Sequence, residues 1–208
     1  MPSDTQFDSM QLTFRGPSID DPDILEHIPN ELAELLRQIN GFIHSRGGLH
    51  VRGACHNPSW HSLRSIWHGD HALHRGYQTV RESDIPFAQD CFGDQFLMRD
   101  GQVWRLSGET GDIKPCARGL TAFLEQARDN PVQFLTLQPL VRFLHEGGSL
   151  MPGELLSVFP PFCVSGSDDV SLRAIPANDR LSFLADFSKQ IADVPDGEQI
   201  QFVIKRQE

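Results

Sequence analysis

The chain is short of paired cysteines, of basic residues and of long apolar runs. Its four cysteines, Cys55, Cys91, Cys116 and Cys163, are widely scattered. No CxxC pair occurs, so neither a zinc knuckle nor a redox pair is indicated. Four separated thiols suit a reducing cytoplasm, while their even number leaves a disulfide open. Lysine and arginine together number 18 against 28 acids, a net charge of −10. A nucleic-acid binder neutralises phosphates with a basic surface, so this balance argues against direct nucleic-acid contact. The longest apolar stretch, LLSVFPPFCV, is broken by Pro160-Pro161 and is too short for a membrane span. The opening MPSDTQFDSM has no basic start and no apolar run, so no signal peptide is expected.

Catalytic signatures are missing too. There is no GxSxG elbow, no HExxH, no GxxxxGK[ST] and no GxGxxG. Arg46-Gly47-Gly48 and Arg52-Gly53 are glycine-rich, but a plain turn explains them better than an anion nest. Cys91 lies between Asp90 and Asp94. Nearby carboxylates raise a thiol pKa and suppress the thiolate, which favours a buried cysteine over a nucleophile. Asp90, Asp94, Asp100, Glu109 and Asp112 lie close in sequence. Spacing alone cannot set two of them across a sugar bond, and such acids more often occupy turns. The one candidate metal constellation is the histidine cluster. His68, His71 and His74 recur every three residues, with His56, His61 or Asp70 available to complete a site. A solvated or structural set of histidines is the plainer reading.

What is present is an uneven charge pattern on a chain that can fold. Hydrophobic residues make up 39% of the sequence and charged residues 22%, enough for a core and too few charges for wholesale disorder. Residues 1–43 carry eight acids against two bases, and residues 82–113 carry seven against two. Between them, residues 44–81 carry five arginines, one acid and seven of the nine histidines. Trp60 and Trp67 sit in this basic stretch, where aromatic stacking on nucleic acid is conceivable locally but opposed by the overall charge. An acidic surface instead favours a basic protein partner, since complementary fields speed encounter.

The periodicities give an order of elements. Residues 1–27 are polar, with Asp20 to Asp23 spelling DDPD, and read as a mobile or loosely docked arm. HIPNELAELLRQINGF starts a helix: Pro29 suits a first turn, and Leu32, Leu35, Leu36 and Ile39 form one face. Gly41, with Asn40 before it, can take the left-handed stop conformation. Leu49-His50-Val51 suggests a brief strand, and HGDHALHRGYQTV one short helix. Gln95–Arg99 and Gln102–Leu106 flank Asp100-Gly101, a strong hairpin signal. Ile113 starts another strand. Helical spacing returns at Leu120, Phe123, Leu124 and Ala127, broken by Pro131, and again from Leu137 to His145. Val170–Ile175 alternates, a helix follows around Leu181–Ile191, and after Asp196-Gly197 the run Gln199–Ile204 has strand spacing.

Two stretches, IPNELAELLRQINGF and IPFAQDCFGDQFLMRDGQVWRL, together resemble the SUKH superfamily, which includes the yeast regulator of cell-wall synthesis and many bacterial immunity proteins. The first supplies Ile28, Pro29, Asn40 and Gly41. The second supplies Pro86, Phe87, Ala88, Asp90, Gly93, Asp94 and Phe96, with Asp100-Gly101 and Val103 in the hairpin. The likeness covers roughly residues 28–128. It implies an α+β domain, an antiparallel sheet with a preceding helix and following helices. It also implies a binding module without catalytic, cofactor or metal residues. On this reading residues 1–27 are the arm, 28–130 the core domain, and 131–208 a C-terminal α/β extension packed on it. Pro86 and Gly93 would shape a corner between layers, and Asp90 and Asp94 would accept backbone N–H bonds. The implied partner is a toxin domain, such as a basic nuclease, bound stoichiometrically in the cytoplasm. The alternatives are a metal-binding protein or metal-dependent enzyme built on His56–His74, and a regulatory scaffold for cell-envelope synthesis.

Overall fold

The turn Asp100-Gly101 sets the register at the centre of the fold. Both residues take positive φ, 51° and 74°, the left-handed pair that suits the twist of a two-residue hairpin. It joins β5 (Gln95–Arg99) to β6 (Gln102–Leu106), pairing Arg99 with Gln102 and Gln95 with Leu106. The structure is a computed structural model and describes residues 12–70, 72–164, 170–195 and 197–198. Its other strands are β1 (Phe14–Arg15), β2 (Phe42–His44), β3 (Leu49–Val51), β4 (Ile85–Asp90) and β7 (Ile113–Ala117). The seven form one sheet in sequence order, β1 to β7, each antiparallel to the next. The fold is α+β.

The sheet is covered on both faces, which explains why β4 and β5 are buried along their whole length. On one face Phe42, Leu49, Val51, Phe87, Phe96 and Met98 meet helix α1 (Asn30–Gln38). Phe123 joins them from a later helix, packing edge-on against Phe87 at 5.3 Å between centroids and tilted against Phe96 at 4.7 Å. On the other face Leu97 and Leu106 meet Ile66, Leu73, Tyr77 and Val80. These come from the long connection between β3 and β4, which holds α2 (Leu63–His68) and α3 (Leu73–Gly76). The α2 helix was not anticipated; Ser62 caps it by accepting the Ser65 N–H at 3.2 Å.

The C-terminal third follows with α4 (Leu120–Asp129), α5 (Pro131–Phe134) and α6 (Gln138–His145). After them come β8 (Glu154–Phe159) and β9 (Ser171–Pro176), a separate two-stranded antiparallel sheet, and then α7 (Ala177–Ile191). Leu135, Leu137, Leu140, Leu156 and Val158 lie in the same buried cluster as α1 and the sheet. The Leu156 N–H donates to the Cys91 carbonyl at 2.7 Å, tying β8 to the β4–β5 turn.

Three local expectations need correction. From residue 12 onward the N-terminal segment is not a loose arm. Phe14 pairs with Ile43 in the sheet, and Ile24 and Leu25 are buried. Its acidic run is anchored because Asp21 accepts two bonds from Arg64, a partner 43 residues away. The first helix ends at Gln38, with Ile39 already extended, and Gly41 at φ +75° turns the chain into β2. Pro86 shapes no corner. It stands inside β4, where a bulge between Pro86 and Ala88 lets the sheet carry a residue without an N–H. The strand expected over 199–204, and Asp196 of the preceding turn, lie outside the described residues.

The glycines of the two turns provide a graded test. At Gly101 an added Cβ meets nothing within 4 Å, so only the left-handed backbone counts. At Gly93, φ +101°, the same atom would run into the Leu184 side chain on α7. Gly101→Ala should therefore cost about 1–2 kcal/mol in chemical denaturation. Gly93→Ala should cost clearly more.

Candidate functional site

The middle of the sheet carries a polar stripe on the face opposite α1. Strand register places Ile43, His50, Gln89, Gln95 and Leu106 side by side across five strands. The three polar members are buried and hydrogen-bond one another in a single direction. The His61 Nε2–H donates to the Asn40 carbonyl at 2.9 Å, which leaves Nδ1 to accept from His50 Nε2 at 2.8 Å. His50 Nδ1 in turn accepts from Gln89 Nε2 at 3.3 Å. The chain closes only with both rings neutral and protonated on Nε2. Burial pushes both histidines down, His61 to about 4 and His50 well below its ordinary value.

Arg52 ends the stripe. It is 2% exposed, and no carboxylate bonds it among the described residues. Its guanidinium donates to the Pro86 carbonyl at 2.8 Å and to the amide oxygens of Gln89 and Gln95. Burial lowers its pKa to about 9, so it remains charged at neutral pH. Three aligned neutral dipoles hold the ion. Gln95 completes the frame by donating to the Gly93 carbonyl at 2.8 Å.

The β4–β5 turn is built around Asp90. One carboxylate oxygen accepts from the N–H groups of Phe92, Gly93 and Asp94 at 2.9, 3.0 and 3.1 Å. The other accepts from Arg105 at 2.9 Å. Asp94 takes the second arm of Arg105 at 2.8 Å and the Gly108 N–H at 2.9 Å. Burial, and then the Asp94 charge, raise the Asp90 pKa; Arg105 and the backbone donors oppose that rise. Next to it, Cys91 is fully buried, and burial with the Asp90 charge pushes its thiol well up. That thiol is held as a protonated packing group.

An open cleft of about 600 Å³ lies beside this turn. Its walls include Phe92, Arg105, Glu109, Thr136, Phe162 and Arg180. Glu109 accepts from the N–H groups of Phe162 and Cys163 at 3.1 and 2.9 Å, fixing the loop after β8. Cys163 at its mouth is exposed, yet burial of the sulfur and the Glu109 charge push its thiol up to about 11.

The residues singled out in the sequence are distributed rather than gathered. Ile28 and Phe96 are core, Pro29 caps α1, and Phe87 occupies the bulge of β4. Asn40 pins Ala54 by accepting its N–H at 2.6 Å and reaches Pro17 with its amide. Asp100 and Gly101 stand at the far hairpin, away from Asp90, Gly93 and Asp94. The histidine cluster does not converge. Among the described residues no three His, Cys, Asp or Glu side chains form a metal-holding group, and His71 lies outside them. Both ring nitrogens of His61 are already engaged. Sequence reasoning took Arg52 only as part of a glycine-rich turn, His50 as part of a brief strand and Glu109 as a turn acid, and it missed Gln89, Gln95 and Arg180. For Arg52, His50, Gln89 and Gln95 the available signal was polar residues at the inward phase of apolar strands; for Arg180 there was none.

The sequence matches no protein-family model and no curated protein. The structure is similar to the crystal structure of Atu4351 from Agrobacterium tumefaciens, with a TM-score of 0.54 at 13% identity. The match covers 88% of this chain and 87% of that one. At that identity the likeness speaks for the fold alone.

Two outcomes test this network. Arg52→Met removes the cationic donor from three buried acceptors, of which Gln89 keeps only the longer bond from Gln95, so it should cost about 3 kcal/mol or more. Acid should also weaken the fold. Unfolded histidines take up protons near their ordinary value of about 6.5, whereas the folded rings refuse them. Their contribution is complete above that value and is lost as pH falls toward about 4, where His61 titrates. Asp90 has the opposite sign, since its raised carboxyl favours the folded state at low pH and loses that advantage as pH rises. Two rings outweigh one carboxyl, so the denaturation midpoint should drop between about pH 7 and about pH 5.

Proposed function

We propose that the protein is a non-catalytic protein-binding module, an immunity-type protein that neutralises a basic toxin domain by covering it in the cytoplasm. The observation that carries this reading is the saturation of the titratable groups along the polar stripe and in the β4–β5 turn. Asp90 is engaged by three backbone N–H groups and Arg105, His50 and His61 are neutral and bonded, and Cys91 is enclosed. A general base or nucleophile needs a free valence facing substrate, and these groups have spent theirs on architecture. What remains for a partner is an acidic exterior, with a net charge of −10. A basic cleft that normally receives nucleic acid is complementary to such a surface. The resemblance to the SUKH superfamily supports the partner class. Among the described residues no helix is long and apolar enough to cross a membrane.

The experiment is co-expression with the product of the adjacent reading frame, followed by size-exclusion chromatography and stopped-flow binding. A stoichiometric complex is expected, with an association rate that falls steeply as salt rises. The absence of a complex, or binding whose rate ignores ionic strength, contradicts the proposal.

A further inference from the structure

The cleft beside the Asp90 turn has properties that the partner proposal leaves unused. Its volume of about 600 Å³ falls in the range of small-molecule sites, roughly 300–1,000 Å³. Arg180 forms part of its wall, reaching from α7 with a side chain only 1% exposed. One guanidinium nitrogen donates to the Phe92 carbonyl at 3.1 Å, and a second lies 3.6 Å from Glu109. The third, Nη1, is buried and has no hydrogen-bond partner. A buried charged donor left unmatched is costly, and burial lowers the Arg180 pKa accordingly. Across the cleft Thr136 holds φ +60°, a genuine outlier for a β-branched residue and a feature concentrated at ligand sites. Phe92 and Phe162 meet edge-on at 5.3 Å and give the wall an aromatic surface.

We infer that this cleft is a binding site for a small organic carboxylate with an apolar body, its carboxylate taking up Arg180 Nη1 and its body lying on Phe92 and Phe162. The charge of the walls narrows the class. Arg105 is already matched to Asp90 and Asp94, and Glu109 faces Arg180. The walls hold two cations against three carboxylates, so a ligand carboxylate gains only the unpartnered Nη1, and the second charge of a phosphate monoester meets repulsion alone. This site stands apart from the partner proposal and can be probed without knowing the partner.

Calorimetric titration of the full chain with 1-naphthylacetate, 1-naphthyl phosphate and 2-(1-naphthyl)ethanol tests it. Saturable binding of the carboxylate is expected, with the phosphate and the alcohol each weaker by about tenfold or more. Arg180→Lys removes the unpartnered nitrogen and should weaken the carboxylate about tenfold. Because that variant disturbs a buried site, Phe162→Ala, on an exposed side chain, serves as the second. It should weaken binding several-fold while leaving the melting transition cooperative. Bound carboxylate should also slow alkylation of Cys163 at the mouth. No saturable binding of the carboxylate to the folded wild-type chain, equal or tighter binding of the phosphate, or affinity unchanged in both variants overturns the inference.

Discussion

A single buried cation organises the molecule. Arg52 enters the sheet where β3 has ended and β4 continues, at the place where Pro86 offers no N–H. Its guanidinium answers the Pro86 carbonyl and the two glutamine amides at once. An isolated ion in a protein interior costs several kcal/mol, so the site persists only if every surrounding dipole is aimed at it. That requirement propagates. Gln89 and Gln95 must present their oxygens to Arg52, which turns their amide nitrogens toward His50 and the Gly93 carbonyl. His50 must then donate to His61, and His61 to Asn40. The orientation of one side chain thus fixes the proton positions of groups on β3, β4, β5 and the β3–β4 connection.

The same strand carries the second organising centre. Asp90 closes the β4–β5 turn with three N–H groups, and Arg105 ties that turn to β6. Gly93 in this turn lies under Leu184 of α7, and the Cys91 carbonyl receives a strand bond from β8. The C-terminal third is therefore joined to the sheet at the corner where the polar groups are densest. The cleft opens between these pieces, so its walls are held by the interactions that hold the fold. A site positioned in this way is preorganised, since the side chains that would meet a ligand are already locked by their neighbours.

Much of the architecture was legible because it is written locally. Asp100-Gly101 announces its hairpin through two adjacent left-handed residues. The helices α1, α4, α6 and α7 declare themselves by apolar residues three and four apart. Asp90 reads as a turn acid because its backbone bonds reach only two to four residues ahead. The stripe was not legible, since Arg52 meets Gln89 and Gln95 across 37 and 43 residues of chain. β4 was hidden by Pro86, which a central strand admits only with the bulge seen here. The N-terminal acids read as solvated because nothing nearby in sequence foretells Arg64. Of the cleft, the sequence offered the turn acids Asp94 and Glu109, while Arg180 comes from α7, 88 residues beyond the carbonyl it binds.

The central claim is that these polar groups are committed to one another and held in one protonation state. Isotope-edited NMR of the histidine ring nitrogens tests it most directly. His50 and His61 should both appear neutral and protonated on Nε2, unchanged from about pH 7 to about pH 5. A ring that titrates near its ordinary value, or carries its proton on Nδ1, contradicts the account.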